Sequence, residues 1–384
     1  MLSRVTVDIE PFRIQVAEAV LEDLRDRLAR TRWPERETVE DWSQGMPLAY
    51  ARELCEYWRT GYDWRRIEAQ LNAIPQFRVE IDGLNIHFLH VRSPHRGALP
   101  LVLTHGWPGS VVEFMKVISP LVDPARHGGD PADAFDVVCP SLPGYGFSDK
   151  PTQPGWGTRR IAAAWARLMA RLGYSRYGAH GGDWGSAITM HLALHDPDHV
   201  AGIHLTMPFA PASDFQTLGE LTDSEQAAVA DYARHRRWET GYSRQQSTRP
   251  QTLGYALVDS PAAQCAWIIE KFRAWTDCDG HPENVVTRDE LLDNVMLYWL
   301  PAAGASSARL YWESFGEDDL PPISVPTGCS IFPKEIFRLS RRLAERRFTD
   351  LRHWHELDRG GHFAALEQPV LLANELRAFF RRVR

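Results

Sequence analysis

One segment of the sequence could present a carboxylate as a nucleophile. Residues 179–186, AHGGDWGS, leave an apolar, strand-like run and enter a helical stretch, with small residues on both sides of Asp183. Glycines at such positions permit the sharp, strained strand-to-helix turn that exposes the central side chain. Esterases hold serine at that tip, whereas this chain holds aspartate. Taken alone, the segment also fits an ordinary aspartate that caps a helix beside a glycine turn.

The aspartate favours one type of reaction. A serine that attacked an alkyl carbon would form an ether, which water does not cleave at neutral pH. A carboxylate forms an ester instead, and water can cleave that ester at its carbonyl carbon. Asp183 at the tip of the turn therefore predicts displacement at carbon through a covalent alkyl ester.

Two other segments offer the groups that an ester intermediate requires. Upstream, HGWPGS follows an apolar run where a second oxyanion-hole amide is expected, so the backbone N–H groups of Trp107 and Trp184 are the predicted donors. Downstream, Glu335 in FPKE ends a strand and His362 in GGHF lies in a later loop. Nucleophile, acid and histidine thus follow the chain order of an α/β-hydrolase triad. Glu335 alone could equally be a surface acid at a helix N-terminus.

Alternating strands and helices must position these residues. Two period-two runs around Asp82-Gly83 predict a β-hairpin, and from about residue 99 short apolar runs alternate with amphipathic stretches. This pattern is typical of an α/β fold with a mostly parallel central sheet. The alternation stops between Pro208 and Pro326, where the sequence is helical and aromatic, and this stretch predicts a helical lid. The alternation then resumes with a strand and with a helix over about 336–347. The predicted parts are an N-terminal helical extension (1–76), a first core part (77–207), the lid (208–325) and a second core part (326–384).

Composition excludes several classes of function. Fifty acidic and 43 basic residues give a net charge of −7 without a basic face, which argues against nucleic acid as a partner. The five cysteines form no C-x-x-C pair, and no window resembles a signal peptide or a membrane anchor, so we expect a reduced, cytoplasmic protein. Neither a metal-binding motif nor a dinucleotide-binding motif is present, and no cofactor or metal is predicted.

The motifs as a set resemble the microsomal-type epoxide hydrolases of the α/β-hydrolase fold. The likeness covers nearly the whole chain, through HGWPGS, GGDWGS, ETGY, DSP, EKF, RLYWES, FPKE and GGHFAALEQP. It implies that Tyr242 and Tyr311 donate to the epoxide oxygen, a role for which a phenol with a pKa of about 10 is suited. It further implies a bacterial enzyme that converts an epoxide and water into a vicinal diol through an Asp183 ester, which water activated by His362 and Glu335 then hydrolyses.

The resemblance leaves the biological setting and the assembly open. Some bacterial relatives serve secondary metabolism, including enediyne biosynthesis, and that role is a candidate here. The expected partners are a small hydrophobic or aromatic epoxide and water, with a homodimer as one open assembly. Two alternative functions are a haloalkane dehalogenase, which also uses an Asp-Trp turn, and a non-catalytic binding protein of the same fold. A dehalogenase would not need paired phenols, and a non-catalytic protein would be expected to lack part of the triad.

Overall fold

The computed structural model describes residues 9–209, 219–316 and 320–384, with the side chain of Ser224 left aside. Within these ranges the strands are β1 (Glu10–Pro11), β2 (Gln76–Ile81), β3 (Leu84–Val91), β4 (Leu99–Thr104), β5 (Phe135–Pro140), β6 (Tyr177–Gly181), β7 (Val200–Leu205), β8 (Thr327–Ile331) and β9 (Leu351–Glu356). They form a single sheet in the order β1-β2-β3-β5-β4-β6-β7-β8-β9. The neighbours from β5 to β9 pair in parallel, which confirms the predicted mostly parallel sheet.

The predicted hairpin is also present. Strands β2 and β3 pair antiparallel, and the turn between them consists of Asp82 at φ 53° and Gly83 at φ 79°. Positive φ at both central residues is what a type I′ hairpin turn requires, and Asp-Gly adopts it at low cost. This hairpin adds an antiparallel edge to the parallel sheet.

Helices bury both faces of the sheet. Because successive side chains of a strand point to opposite faces, Val102 of β4 joins one apolar cluster while Leu101 and Leu103 join the other. The core and N-terminal helices are α1 (Glu18–Ala29), α2 (Leu48–Thr60), α3 (Trp64–Asn72), α4 (Met115–Val122), α5 (Thr158–Arg171) and α6 (Trp184–His195). Helices α5 and α6 contribute to the first cluster and α4 to the second.

Most of the described chain between β7 and β8 is helical. Its helices are α7 (Asp223–Trp238), α8 (Gly241–Thr248), α9 (Pro250–Asp259), α10 (Pro261–Trp275), α11 (Arg288–Trp299) and α12 (Gly304–Ser314). The N-terminal part contacts this region through two tyrosines: Tyr57 of α2 donates to Asp289 at 2.7 Å, and Tyr62, in the loop after α2, donates to Asp293 at 2.7 Å. Part of the predicted lid, residues 210–218 and 317–319, lies outside the described residues. The four-part division of the chain remains our proposal.

The helix predicted over about 336–347 is shorter than expected. Helix α13 spans Arg341–Arg347, and Ser340 caps it by accepting from the Leu343 N–H. The segment that precedes Ser340 is not helical, and it contacts the loop that contains His362: Lys334 forms an isolated parallel β-bridge with Gly361. The prediction was therefore wrong for 336–340, where tertiary contact with the late loop prevails over helical pattern.

The C-terminal part follows the predicted order. After β9 come a short helix α14 (Ala364–Glu367) and the final helix α15 (Pro369–Phe380). Helix α15 packs with α4 on one face of the sheet, where Leu372 and Val117 share an apolar cluster. Among the described residues, no helix has the length and apolar character needed to cross a bilayer.

Candidate active site

Asp183 lies at the tip of a sharp turn between β6 and α6. Its backbone adopts φ 50° and ψ −131°, a conformation that a residue with a side chain rarely adopts. A Cβ atom at Gly181 would lie 2.1 Å from the carbonyl oxygen of Gly185, and a Cβ at Gly185 would lie 1.9 Å from the carbonyl oxygen of Thr104. The two glycines therefore let strand and helix approach closely enough to form the predicted nucleophile turn.

The Asp183 carboxylate is held by the HGWPGS loop. The backbone N–H of Trp107 donates to its Oδ1 at 2.7 Å. Gly106 makes that approach feasible, since a Cβ there would lie 2.0 Å from the same oxygen. Trp184 is the first residue of α6, and first-turn N–H groups have no partner within their own helix. Both predicted oxyanion-hole residues thus lie beside the carboxylate, one in contact with it and one next to it in the chain.

His362 connects the other two members of the predicted triad. Its Nε2 lies 3.5 Å from Asp183 Oδ2, and its Nδ1 lies 2.5 Å from Glu335 Oε1. Glu335 is oriented by the Ile336 N–H, which donates to the same oxygen at 2.8 Å. The His362 backbone N–H donates to the Trp275 carbonyl at 2.9 Å. The structure therefore brings together all three residues that the chain order predicted.

The three buried side chains form a charge-coupled set. Burial alone would favour a neutral imidazole, but the Glu335 carboxylate and then Asp183 raise the pKa of His362 well above its usual value. The imidazolium is thus stabilised between two carboxylates. Loss of charge on either partner would lower the pKa of the ring.

The two predicted tyrosines lie on lid helices that face this turn. Tyr242 in α8 and Tyr311 in α12 are buried, and their ring centroids are 5.8 Å apart. The Tyr242 ring stacks on the Trp107 ring with their centroids 5.1 Å apart, and the Tyr311 ring lies edge-on to the Trp184 ring with their centroids 4.8 Å apart. Burial and the Asp183 charge raise the pKa of both phenols above the usual value, so they are protonated at neutral pH.

Aromatic side chains make up much of the surroundings. Trp275 lies 5.2 Å from the Tyr242 ring and 5.0 Å from the His362 ring, and Phe315 stacks on Tyr311 at 5.7 Å. Tryptophan and phenylalanine rings therefore form part of the wall around the reactive groups.

Two charged side chains near the site, one buried and one partly buried, were not assigned a role from sequence. Lys271 of α10 is 5 % exposed, forms an ion pair with Glu270, and places its Nζ 4.6 Å from the centre of the Tyr242 ring. Lys271 precedes Trp275 by four residues, so both lie on the same face of the helix. This spacing is the sequence feature that could have indicated a place near the site. Glu113, in the 3-10 helix Val111–Phe114, lines a small cavity with Asp183 and His362. Its local sequence gave no comparable signal.

Comparison with known proteins agrees with this geometry. Residues 9–114 match the family described as epoxide hydrolase N terminus, and residues 100–237 match the alpha/beta hydrolase fold. A candidate epoxide hydrolase of Stigmatella aurantiaca is 56% identical over 377 residues, covering 98% of this chain and 86% of that protein. Epoxide hydrolase 1 of Sus scrofa is 36% identical, covering 97% of this chain and 88% of that protein.

Solved structures of epoxide hydrolases also superpose on this structure. The juvenile hormone epoxide hydrolase of Bombyx mori superposes with a TM-score of 0.90 at 32% identity, covering 98% of this chain and 95% of that one. The Aspergillus niger epoxide hydrolase superposes with a TM-score of 0.87 at 31% identity, covering 99% and 97% of the two chains. Identity of this level over nearly complete chains places the protein in the epoxide hydrolase family, on the microsomal-type branch of the α/β-hydrolase fold.

Proposed function

We propose that this epoxide hydrolase acts through a covalent ester on Asp183. The observation that carries the proposal is that the two carboxylate oxygens have different partners. Oδ1 accepts a hydrogen bond from the Trp107 N–H at 2.7 Å, while Oδ2 lies 3.5 Å from His362 Nε2. One oxygen is thus fixed in the oxyanion site, and the other is available to attack. Tyr242 and Tyr311 lie on the lid side of the same turn, where an epoxide oxygen would be placed.

In the first step, Asp183 attacks a ring carbon and the carbon–oxygen bond of the epoxide breaks. The electron pair of that bond passes to the epoxide oxygen, which receives a proton or a strong hydrogen bond from Tyr242 and Tyr311. Protonated phenols suit this role, because they stabilise an alkoxide only as its charge develops. The Lys271 ammonium near the Tyr242 ring would stabilise a phenolate that forms there.

In the second step, water cleaves the ester. Esterification removes the Asp183 charge, which is one of the groups that raise the pKa of His362, so the ring becomes easier to deprotonate when a base is needed. His362 Nε2 then accepts a proton from water, and the water oxygen attacks the Asp183 carbonyl carbon. The Trp107 and Trp184 amides would stabilise the oxyanion, and Glu335 would stabilise the imidazolium. Collapse of the oxyanion breaks the bond to the ester oxygen, which leaves as an alkoxide, and Asp183 is left as a carboxylic acid that carries the second water proton. The His362 proton and the Asp183 proton then pass to this alkoxide and to the epoxide-derived alkoxide or its phenolate, which releases the diol and regenerates the Asp183 carboxylate.

The surroundings favour epoxides with apolar or aromatic substituents. Rings of Trp107, Trp184, Trp275 and Phe315 surround the two phenols. Styrene oxide is therefore a suitable probe. A dehalogenase would instead need side-chain N–H donors for a halide, and paired phenols favour an oxygen leaving group. Cytoplasmic location, a homodimer and a role in secondary metabolism stay predictions.

Isotope labelling under single-turnover conditions tests the covalent route. Excess enzyme is mixed with styrene oxide in ¹⁸O-labelled water, and the peptide that contains Asp183 is analysed by mass spectrometry. We expect one label in Asp183, because the water oxygen enters the carboxylate while the diol keeps the original carboxylate oxygen. Label in the diol alone would show direct attack by water and overturn the proposal. Release of halide from 1-bromobutane, without diol formation, would favour the dehalogenase instead.

A further inference from the structure

Two histidines and a glutamate come together at the edge of the sheet, outside the proposed active site. His353 and His355 belong to β9, the last strand of the sheet, and Glu375 belongs to α15. Because residues two apart in a strand point to the same face, both rings point to the face that carries Glu375. His353 Nε2 lies 2.8 Å from Glu375 Oε2, and His355 Nδ1 lies 2.8 Å from Oε1. The proposed reaction uses none of these three side chains.

The three side chains offer the ligand types and the spacing of a zinc site. Among the residues that the structure describes, one possible ligand atom from each lies within 4.8 Å of those of the other two. The centre of a triangle with sides no longer than 4.8 Å lies within about 2.8 Å of its corners. Bonds from zinc to nitrogen or carboxylate oxygen measure roughly 2.0–2.2 Å, so the three groups need to close by less than about 1 Å to bind one ion.

The carboxylate of this cluster is charged and held in place. Glu375 is 6 % exposed, and the Ser330 hydroxyl of β8 donates to its Oε2 at 2.8 Å. Burial acts against the charged form, but hydrogen bonds from the two histidines and the serine outweigh it and lower the pKa of Glu375 to about 2. A carboxylate that a further residue orients in this way is typical of metal sites. The His355 side chain is 50 % exposed, so an ion can reach the cluster from solvent.

We propose that His353, His355 and Glu375 bind one Zn²⁺ ion, with water as the fourth ligand on the exposed side. Imidazole nitrogen together with carboxylate oxygen suits zinc, whereas Mg²⁺ and Ca²⁺ prefer oxygen ligands alone. The ion would link β9 to α15, and the chain between these two elements carries His362. We expect it to stabilise this part of the fold and to take no part in the reaction. Glu375 follows the two histidines by 22 and 20 positions, so the sequence shows no metal-binding motif there.

Zinc binding by the purified full chain tests the proposal. The protein is treated with a chelator and then dialysed to equilibrium against ZnCl₂, and bound zinc is measured by metal analysis. We expect one ion per chain, and a rise in Tm of about 3 °C at a free zinc concentration about 100 times the Kd. His355→Ala and Glu375→Gln should each weaken binding by about 100-fold or more and nearly abolish the rise in Tm, because loss of a ligand costs at least as much as loss of an outer partner.

His199→Ala is the matched control. His199 is a 54 % exposed histidine that lies 2.5 Å from a single carboxylate, that of Asp196, so this variant should bind zinc like the wild type. Absence of saturable zinc binding by the wild type would overturn the inference. Binding that His355→Ala leaves unchanged would place the ion elsewhere, and equal weakening by His199→Ala would indicate ions scattered over surface histidines. If Glu375→Gln does not fold, His355→Ala and His353→Gln give the decision, since both keep the buried carboxylate.

Discussion

Gly106→Ala should displace the nucleophile without changing any reacting group. A Cβ atom added at Gly106 would lie 2.0 Å from Asp183 Oδ1, 2.5 Å from its Cβ and 2.6 Å from its Cγ. Real Cβ contacts essentially never fall under 3.0 Å. Either the carboxylate or the loop must therefore move by about 1 Å, because a packed interior does not absorb such an overlap. The Trp107 N–H contact with Oδ1 belongs to the same loop and would be disturbed by the same movement.

The kinetic cost follows from that displacement. Misplacing a reacting atom by about 1 Å costs on the order of 10²-fold in rate, or about 2.7 kcal/mol in activation free energy. We expect kcat/KM for styrene oxide to fall by about this factor, with ring opening affected in single-turnover measurements. Diol formation followed by chromatography and ester formation followed by intact mass give the two readouts.

Gly97→Ala is the matched control for this substitution. Nothing lies within 4 Å of a Cβ at Gly97, although its φ of +75° makes an added side chain strained. It should lower the free energy of unfolding by about 1 kcal/mol and leave kcat/KM unchanged. If Gly106→Ala kept kcat/KM within about threefold of the wild type, the tight fit of glycine against the carboxylate would not matter for catalysis, and this reasoning would be refuted.

Three further predictions concern charge in the site. Phe in place of Tyr242 or Tyr311 should slow ring opening by about 10²-fold and leave hydrolysis of a preformed ester unchanged. Glu335→Gln should lower the pKa of His362, so the rise of ester hydrolysis with pH should shift to lower pH, and the maximal rate should fall because the imidazolium loses its carboxylate. Lys271→Met should slow ring opening by about tenfold, because a developing phenolate on Tyr242 loses a nearby cation.

Each of these has a control or a contrary outcome. Tyr255 is 71% exposed and Lys150 lies on the surface, so Tyr255→Phe and Lys150→Met should leave both half-reactions unchanged. If ester hydrolysis by Glu335→Gln rose over the same pH range as in the wild type, a group other than the His362–Glu335 pair would set that pH dependence. Ring opening at the wild-type rate in both tyrosine variants would remove the phenols from the mechanism.

Local rules were sufficient to predict two of the turns. Asp82-Gly83 predicted a hairpin because few residue pairs adopt two successive positive φ angles. The small residues around Asp183 predicted the nucleophile turn for a related reason, since any side chain at Gly181 or Gly185 would overlap a backbone atom. Requirements of this kind act over a few residues, and they are therefore visible in the sequence.

Long-range contacts explain what could not be predicted. Helix α13 begins late because Lys334 pairs with Gly361, a contact across 27 positions that also brings Glu335 to His362. Glu113 and Lys271 look like ordinary exposed charges in sequence, and only three-dimensional packing buries Lys271 and partly buries Glu113. The chain order therefore predicted which residues meet, whereas the buried charges around them required the three-dimensional structure.

In the proposed mechanism, the same contact at Oδ1 serves both steps. Because the Trp107 N–H already holds Oδ1 at 2.7 Å, attack by Oδ2 leaves Oδ1 as the carbonyl oxygen of the ester. That carbonyl oxygen is the atom that gains charge when water attacks, so the oxyanion site is occupied correctly before the second step begins. No rotation of the carboxylate is needed between the steps. The strained backbone of Asp183 and the absent side chain of Gly106 thus fix, in advance, which oxygen attacks and which one carries the charge.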